Sequence, residues 1–273
     1  MSRIAGCFQE LSAQGRKALI PYVVAGDPGV DITVPLMHGL VKAGADIIEL
    51  GVPFSDPMSE GPVIQLGHER ALANKVSLRS VLEMVREFRS QDQQTPVLLM
   101  GYANPVMHMG YAGFADAAGD AGVDALLTVD IPPEEVAAVN AELQRVGMDN
   151  IFLIAPTTPN LRMGVIAGQA SGFIYYVAVK GVTGAGNLDV ADVTEKLALI
   201  RGHTDLPLAV GFGIKDAETA RAIATVADGV IVGSALVNIL AQAADNGDSQ
   251  EAAISAATAL LADIREGIDS ITS

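Results

Sequence analysis

Two acidic residues flank a proline-rich segment near the start of the chain. Glu49 lies within the apolar run 46–50, whose composition predicts a strand. A strand covered on both faces offers an ionised carboxylate no water, so burial is expected to raise the pKa of Glu49 toward the range useful for proton transfer. Glu60 lies in the loop that follows, which could deliver its carboxylate to the same place. The two residues predict general acid–base chemistry. The alternative is that Glu49 belongs to a structural hydrogen-bond network and that Glu60 is a solvated loop residue.

Glycines after two later apolar runs predict a phosphate site. They occur in Gly211-Phe212-Gly213-Ile214 and in Gly233-Ser234-Ala235-Leu236. Glycine lets backbone amides approach an anion closely, and Ser234 is expected to open a short helix, cap it and bind phosphate through its hydroxyl. Two tight turns with ordinary glycines are the alternative. A further glycine-rich stretch, 181–187, predicts a mobile loop that closes over a substrate.

Metal and acyl-transfer chemistry find no support in the sequence. The four histidines are scattered, without HxH or HExxH spacing, so no metal site is expected. No serine stands in a GxSxG segment, which argues against acyl transfer. Cys7 is the only cysteine, so no internal disulfide can form, and it is interpreted as a half-buried apolar residue of an N-terminal helix.

Composition narrows the class of protein and its partners. The 273 residues, half of them hydrophobic, fit one large domain over 1–273. A formal net charge of −15 repels nucleic acid and anionic lipid, although backbone amides can still bind a small phosphorylated substrate. The single cysteine, the N-terminus without an uninterrupted apolar stretch and the short apolar runs predict a cytoplasmic protein.

Eight strand-like runs alternate with amphipathic segments along the chain. The runs are 19–24, 46–50, 97–101, 124–129, 150–154, 173–179, 207–211 and 229–232. Their continuous apolar character is typical of parallel strands covered on both faces. Helices are predicted over 30–43, 77–90, 133–146, 159–170, 190–202, 215–226 and 249–268.

This pattern favours one architecture of the α/β class. Eight repeats, and the absence of GxGxxG after the first strand, favour a (β/α)8 TIM barrel over a doubly wound sheet. The first 14 residues are predicted to be an extra helix closing the bottom of the barrel, and a short helix is expected after the eighth strand. In such barrels the active site lies at the carboxyl ends of the strands and on the loops that follow them. Glu49 falls near the end of a predicted strand, and Glu60 and the phosphate glycines fall after strands.

Several segments of the chain resemble one family, the alpha subunit of tryptophan synthase. The most specific is Glu49-Leu50-Gly51-Val52-Pro53-Phe54-Ser55-Asp56-Pro57, and the similarity runs nearly end to end. The other matching segments are 100–105, 130–132, 181–185, 211–214 and 233–235. The resemblance implies retro-aldol cleavage of indole-3-glycerol phosphate to indole and glyceraldehyde 3-phosphate. Indole would then pass to a beta subunit that carries pyridoxal phosphate, within an α2β2 complex, and this chain would need no cofactor.

The resemblance also implies a role for particular residues. Glu49 would be the general acid–base, and Glu60, where the family usually has Asp, would hold the indole N–H. Thr183 would close the loop over the substrate. Phosphate would be bound by Gly184, Gly213, Gly233 and Ser234. A flat apolar slot suits indole, and its walls would be Tyr22, Met100, Tyr102, Leu127, Val129, Tyr175 and Phe212. The beta subunit would face Asp56, Asn104 and His108.

Three alternatives to this function remain open at the level of sequence. Lys180 follows the sixth predicted strand, where a desolvated lysine could form a Schiff base with a carbonyl substrate. The chain could instead be a non-catalytic subunit that senses a phosphorylated ligand and activates a partner, with the longer Glu60 misplacing the chemistry. It could also be a lyase that releases indole without any partner.

Overall fold

The structure, a computed structural model, describes residues 2–178, 190–211 and 213–271, in which parallel strands form a ring surrounded by helices. The strands are β1 (Ala18–Val24), β2 (Ile48–Gly51), β3 (Val97–Gly101), β4 (Ala125–Thr128), β5 (Asp149–Asn150), β6 (Phe152–Ile154), β7 (Ile174–Val177), β8 (Leu208–Gly211) and β9 (Gly229–Val232). Neighbouring strands are hydrogen-bonded in the order β5-β4-β3-β2-β1-β9-β8-β7-β6, and all pairings are parallel.

The two shortest strands close the ring. Only Ile151 separates β5 from β6, and its N–H donates to the Leu126 carbonyl of β4 at 2.9 Å. Because β5 pairs with β4 and β6 pairs with β7, this single bent run corresponds to the strand predicted over 150–154. Each of the eight predicted strands is therefore found, and the predicted (β/α)8 barrel is confirmed.

Side chains alternate between the barrel interior and the layer beneath the helices. The interior set contains Ile20, Ile47, Leu98, Ala125, Leu127, Ile151, Phe173, Ala209 and Ile231. The outer set contains Leu19, Ile48, Leu50, Leu99, Leu126, Phe152, Ile174, Val210 and Val230. Both sets are buried, so each strand has a continuous apolar sequence although successive side chains point to opposite faces.

Twelve helices lie within the described residues. They are α1 (Arg3–Ala13), α2 (Thr33–Lys42), α3 (Pro62–Ala73), α4 (Leu78–Arg89), α5 (Ala103–Met109), α6 (Tyr111–Ala121), α7 (Ala137–Arg145), α8 (Asn160–Ala167), α9 (Val190–Arg201), α10 (Ala217–Ala224), α11 (Ser234–Asn246) and α12 (Gln250–Asp269). Among these described helices, none has the length and apolar character needed to cross a membrane.

Some helices differ from the prediction. The sequence predicted no helix at α3, α5 or α6, and the helix after the last strand, α11, has 13 residues and is not short. The helix predicted from residue 133 begins at Ala137, after a turn over 133–136. The predicted long loop after β2 is shortened to 52–61 because α3 begins at Pro62, a residue whose fixed φ suits a first helical turn.

Helix α1 closes the bottom of the barrel, as predicted. Ser2 caps it by accepting a hydrogen bond from the Ala5 N–H. Ile4 and Phe8 are buried in the interior cluster, and the Phe8 ring lies 5.6 Å from that of Phe173 at the start of β7. Cys7, on the same helix, is half-buried, and burial raises the pKa of its thiol to about 12.

Helix α3 is fixed to the loop that follows β1 by a buried ion pair. Arg70 donates to both carboxylate oxygens of Asp27, from Nε at 2.6 Å and from Nη2 at 2.9 Å. Asp27 is only 1% exposed. Gly67 packs so closely that a Cβ there would lie 2.9 Å from Asp27 Oδ2. These contacts hold α3 in place at the mouth of the barrel.

Candidate active site

Glu49 lies on the interior face near the carboxyl end of β2. Its Cα pairs with that of Tyr22 on β1 and with that of Leu98 on β3. The residue is fully buried, and neither carboxylate oxygen has a hydrogen-bond partner within the described residues. Burial raises the pKa of Glu49 to about 8, and the negative charge of Glu60 contributes in the same direction. Such a carboxyl can both donate and accept a proton near neutral pH.

The loop after β2 brings Glu60 to the same region. The Tyr102 hydroxyl donates to Glu60 Oε2 at 2.9 Å and accepts from the Ser59 N–H at 3.1 Å. The Phe54 ring stacks on the Tyr102 ring with a centroid separation of 4.8 Å. Burial raises the pKa of Glu60 to about 7, although the Tyr102 hydrogen bond opposes the shift. The predicted solvated Glu60, kept as an alternative, is wrong, because its side chain is only 5% exposed.

His68 also belongs to this cluster, although it was not predicted from the sequence. It lies on α3 and is 1% exposed. Its Nδ1 accepts from the Phe54 N–H at 3.1 Å, and its Nε2 lies 3.5 Å from the Tyr22 hydroxyl and 3.6 Å from Glu60 Oε2. Burial lowers the pKa of His68 to about 4, so the imidazole is neutral at pH 7 and its approach to Glu60 is not an ion pair.

A cavity of about 330 Å³ opens at the carboxyl ends of the strands. Six predicted site residues lie on its wall, namely Tyr22, Met100, Tyr175, Gly213, Gly233 and Ser234. The wall also includes residues that were not predicted from the sequence, among them Val63, Ile64, Lys215 and Asn238. Val63 and Ile64 belong to α3, and their selection would have required recognising Gly61-Pro62 as the start of a helix.

The remaining predicted wall residues lie elsewhere or outside the described residues. Tyr102 is buried beneath the Glu60 loop, where it bonds to both Ser59 and Glu60. Leu127 and Val129 lie in the interior packing, and Leu127 pairs in register with Met100. Lys180, Thr183, Gly184 and Phe212 fall among residues that the structure does not describe.

One end of the cavity is suited to an anion. Helix α11 begins at Ser234 with Gly233 at its N-cap position, and it directs the amides of its first turn toward that end. The positive end of the helix dipole attracts negative charge. Gly213 has a φ of +77°, which favours glycine, and Lys215 adds a cation to the same wall. The predicted capping by the Ser234 side chain is wrong, which leaves its exposed hydroxyl available to a ligand.

The residues predicted to face a partner are all exposed. Asp56 lies in the loop after β2, and Asn104 and His108 lie on α5. Their spacing of four residues places Asn104 and His108 on one side of that helix. Two apolar neighbours are also exposed, Met58 at 76% and Met107 at 59%. This surface combines polar and apolar groups, as protein–protein interfaces do.

The raised pKa of Glu49 predicts a pH-dependent stability. Folded Glu49 keeps its proton up to about pH 8, whereas in the unfolded chain it ionises near 4.5. The stability contributed by the carboxyl is therefore complete below pH 4.5 and is lost as pH rises toward 8. The free energy of unfolding of the wild type, relative to that of Glu49→Gln, should fall by a few kcal/mol across this pH window, at about 1.4 kcal/mol per pH unit. Urea denaturation of both proteins from pH 4.5 to 9 measures this, and a constant difference would contradict it.

Comparison with known proteins agrees with this geometry. A family model described as tryptophan synthase alpha chain matches residues 8–266. An alpha chain from Thioalkalivibrio sulfidiphilus is 60% identical and aligns over 98% of this chain and 100% of its own length. One from Ralstonia nicotianae is 56% identical over the same shares. A crystal structure of the alpha subunit from Legionella pneumophila superposes with a TM-score of 0.91 at 45% identity, covering 99% of each chain.

The resemblance inferred from the sequence is thus confirmed by matches over nearly the whole chain. The parallel-stranded barrel agrees with the fold that it implied. The chain belongs to the tryptophan synthase alpha chain family, the lyase subunits that cleave indole-3-glycerol phosphate to indole and glyceraldehyde 3-phosphate in tryptophan biosynthesis.

Proposed function

We propose that Glu49 and Glu60 together carry out the retro-aldol cleavage in this chain. The single observation that supports this assignment best is the fully buried Glu49, whose two oxygens have no partner within the described residues. A carboxyl without a partner at such a depth is unfavourable for folding, and its presence is explained if it acts on a substrate.

The steps follow from the chemistry of indole-3-glycerol phosphate. Protonated Glu49 delivers its proton to C3 of the indole ring, which leaves positive charge on the ring nitrogen. Ionised Glu60 accepts the indole N–H and stabilises that charge. The Glu49 carboxylate then takes the proton of the glycerol hydroxyl nearest the ring. The bond between C3 and the glycerol carbon breaks, its electron pair returns to the ring to give indole, and the hydroxyl carbon becomes the aldehyde of glyceraldehyde 3-phosphate.

The cavity supports the binding part of this proposal. Tyr22, Met100 and Tyr175 provide an apolar wall for the indole ring. The first turn of α11 with Gly213, Gly233 and Ser234 is proposed to bind the phosphate. Thr183, Gly184 and Phe212 are proposed to contribute as they do in the family. The mechanism requires proton transfer alone, so we propose that this chain uses no metal ion or organic cofactor.

Ser234→Ala is expected to raise KM for indole-3-glycerol phosphate about 10-fold, because a hydrogen bond to a charged group is lost. The kcat should stay nearly constant, since the phosphate is bound equally before and during the reaction. Steady-state kinetics measure both constants. An unchanged KM would show that the hydroxyl does not contact the phosphate. Ser255→Ala, an exposed serine of helix α12 that is not on the cavity wall, is the matched control.

Membership of the family implies a beta subunit as partner. We propose an α2β2 complex, in which Asp56, Asn104 and His108 face a beta subunit that carries pyridoxal phosphate and receives indole. The exposure of these residues and of the neighbouring Met58 and Met107 supports this surface. The pathway also supports a cytoplasmic location. Sedimentation of the chain mixed with a cognate beta subunit tests the stoichiometry.

The experiment that tests the function is indole release from indole-3-glycerol phosphate by the purified chain, with and without a beta subunit. Indole release that the beta subunit accelerates supports the proposal. Equal rates in both conditions would favour a lyase that acts alone. Tight binding of a substrate analogue with no indole release would favour a phosphate-sensing subunit, and borohydride trapping of substrate on Lys180 would favour a Schiff-base aldolase.

A further inference from the structure

We infer that His68 is a positioning residue for Glu60, and that its Nε2–H directs one carboxylate oxygen so that the other faces the substrate. The inference rests on the role proposed above for Glu60. Helix α3 brings the imidazole between β1 and the Glu60 loop, where it is almost completely buried. Its Nδ1 faces the Phe54 N–H, and its Nε2 faces Tyr22 and Glu60.

The backbone fixes the position of the ring proton. The Phe54 N–H donates to His68 Nδ1 at 3.1 Å, so Nδ1 must be the unprotonated acceptor of a neutral ring. The proton is therefore on Nε2, which faces the Tyr22 hydroxyl at 3.5 Å and Glu60 Oε2 at 3.6 Å. Both separations are long for hydrogen bonds, and such contacts are expected to shorten when substrate is bound.

This arrangement distinguishes the two oxygens of Glu60. Oε2 accepts from the Tyr102 hydroxyl at 2.9 Å and faces the Nε2–H of His68. The contacts found for the Glu60 carboxylate among the described residues are made by Oε2, so Oε1 is the oxygen available to the indole N–H. Glu60 has one methylene more than Asp, so its carboxylate has more conformational freedom. The Nε2–H of His68 limits that freedom, because it is a second donor to Oε2 beside the Tyr102 hydroxyl.

The groups that surround the imidazole are consistent with this role. Tyr22 faces it from β1 and Glu60 from the loop. Burial raises the pKa of the Tyr22 hydroxyl, and the charges of Glu60 and Glu49 contribute in the same direction. Arg70, on the same helix, is bonded to Asp27. The Nε2–H therefore points toward the Glu60 carboxylate and the Tyr22 phenol, and a donor at this point favours the ionised form of Glu60.

Two amide substitutions of His68 test the roles of the two ring nitrogens separately. The amide of Asn reaches the position of Nδ1 and can still accept from the Phe54 N–H, but it provides no donor at the position of Nε2. The longer amide of Gln places an N–H near the position of Nε2 but loses the contact with Phe54. In His68→Asn, the pKa of Glu60 should rise by about one unit, and kcat at pH 7 should fall about 5-fold because less Glu60 is ionised. In His68→Gln, both values should stay near wild type while the melting temperature falls.

The readouts are the acid limb of the kcat–pH profile, the Glu60 pKa from carboxyl ¹³C NMR, and the His68 tautomer from ¹⁵N NMR. His38→Asn is the matched control, because His38 lies on α2 against the Phe88 ring and should not affect the profile. In a Glu60→Asp background, the His68→Asn effect on kcat should shrink to about 2-fold, since the shorter carboxylate withdraws from the imidazole.

The inference would be overturned by an Nδ1–H tautomer of His68, or by an unchanged Glu60 pKa in His68→Asn. A loss of melting temperature in His68→Asn with an unmoved acid limb would also overturn it, because that result describes a structural role only. These outcomes are distinct from failure of the proposed function. A wild-type chain that releases no indole would contradict the function, while both NMR measurements could still be read in the folded protein.

Discussion

Replacement of Glu49 by Gln is expected to lower kcat for indole release about 1,000-fold, within the range that general acid–base catalysis contributes. The amide has nearly the shape of the carboxyl but neither delivers a proton to the indole ring nor takes one from the glycerol hydroxyl. Because Glu49 is fully buried and makes no hydrogen bond within the described residues, the substitution breaks no structural contact found there. The variant should therefore fold and bind substrate.

Two comparisons make this result specific. Binding of a non-cleavable glycerol phosphate analogue should be retained within about 3-fold, because the phosphate contacts are unchanged. Glu49→Asp, which keeps a carboxyl but shortens it, should lose about 100-fold, since a displacement near 1 Å has effects of that size. If Glu49→Gln retained more than a tenth of the wild-type kcat, the assignment of Glu49 as the acid–base would be wrong.

Arg70→Met is expected to lower the free energy of unfolding by about 3 kcal/mol, because it leaves the carboxylate of Asp27 buried without its cation. Arg70 provides a donor to each oxygen of Asp27, which is 1% exposed. Burial already raises the pKa of Asp27 in spite of that ion pair, so the carboxyl should take up a proton when the pair is removed. Urea denaturation at pH 7 measures the loss.

The double variant Asp27→Asn with Arg70→Met provides the control for this prediction. Removal of both charges should recover more than half of the lost stability, since the uncompensated carboxylate is then absent. Additive losses in the double variant would show that packing of the Arg70 side chain against the loop after β1, and not charge, accounts for the effect. The position of α3 should also change in the single variant, which would be detected as a lower kcat through displacement of His68.

The barrel could be predicted because its strands are covered on both faces. Residues such as Ile47 and Ile48 point to opposite sides, yet both are buried, and this produces the short apolar runs that define the eight repeats. Glu49 was identified for the same reason, since it is a charged residue in the interior of the run 46–50, whereas Asp46 stands at its start. The glycines near α11 were identified because anion binding by backbone amides depends on local sequence.

The residues that were missed depend on tertiary contacts. Helix α6 (Tyr111–Ala121) is composed mainly of Ala and Gly, with only Phe114 as a large buried residue, so its apolar periodicity is weak. His68 follows a predicted loop and has no distinguishing neighbours in the sequence. Its importance arises from Phe54, Tyr22 and Glu60, which lie on separate elements. The side chain of Ser234 was assigned as a cap, but Gly233 occupies that position.

Cys7 can report on the opening of helix α1 at the bottom of the barrel. Cys7 is the only cysteine of the chain, lies half-buried on α1, and has its thiol pKa raised to about 12. A thiol that is protonated and partly covered reacts slowly with alkylating reagents until the segment that carries it opens. The rate of Cys7 modification therefore measures how often α1 detaches from the interior cluster. A lower rate of Cys7 modification in the presence of substrate would show that substrate binding at the mouth of the barrel makes detachment of α1 at the opposite end less frequent.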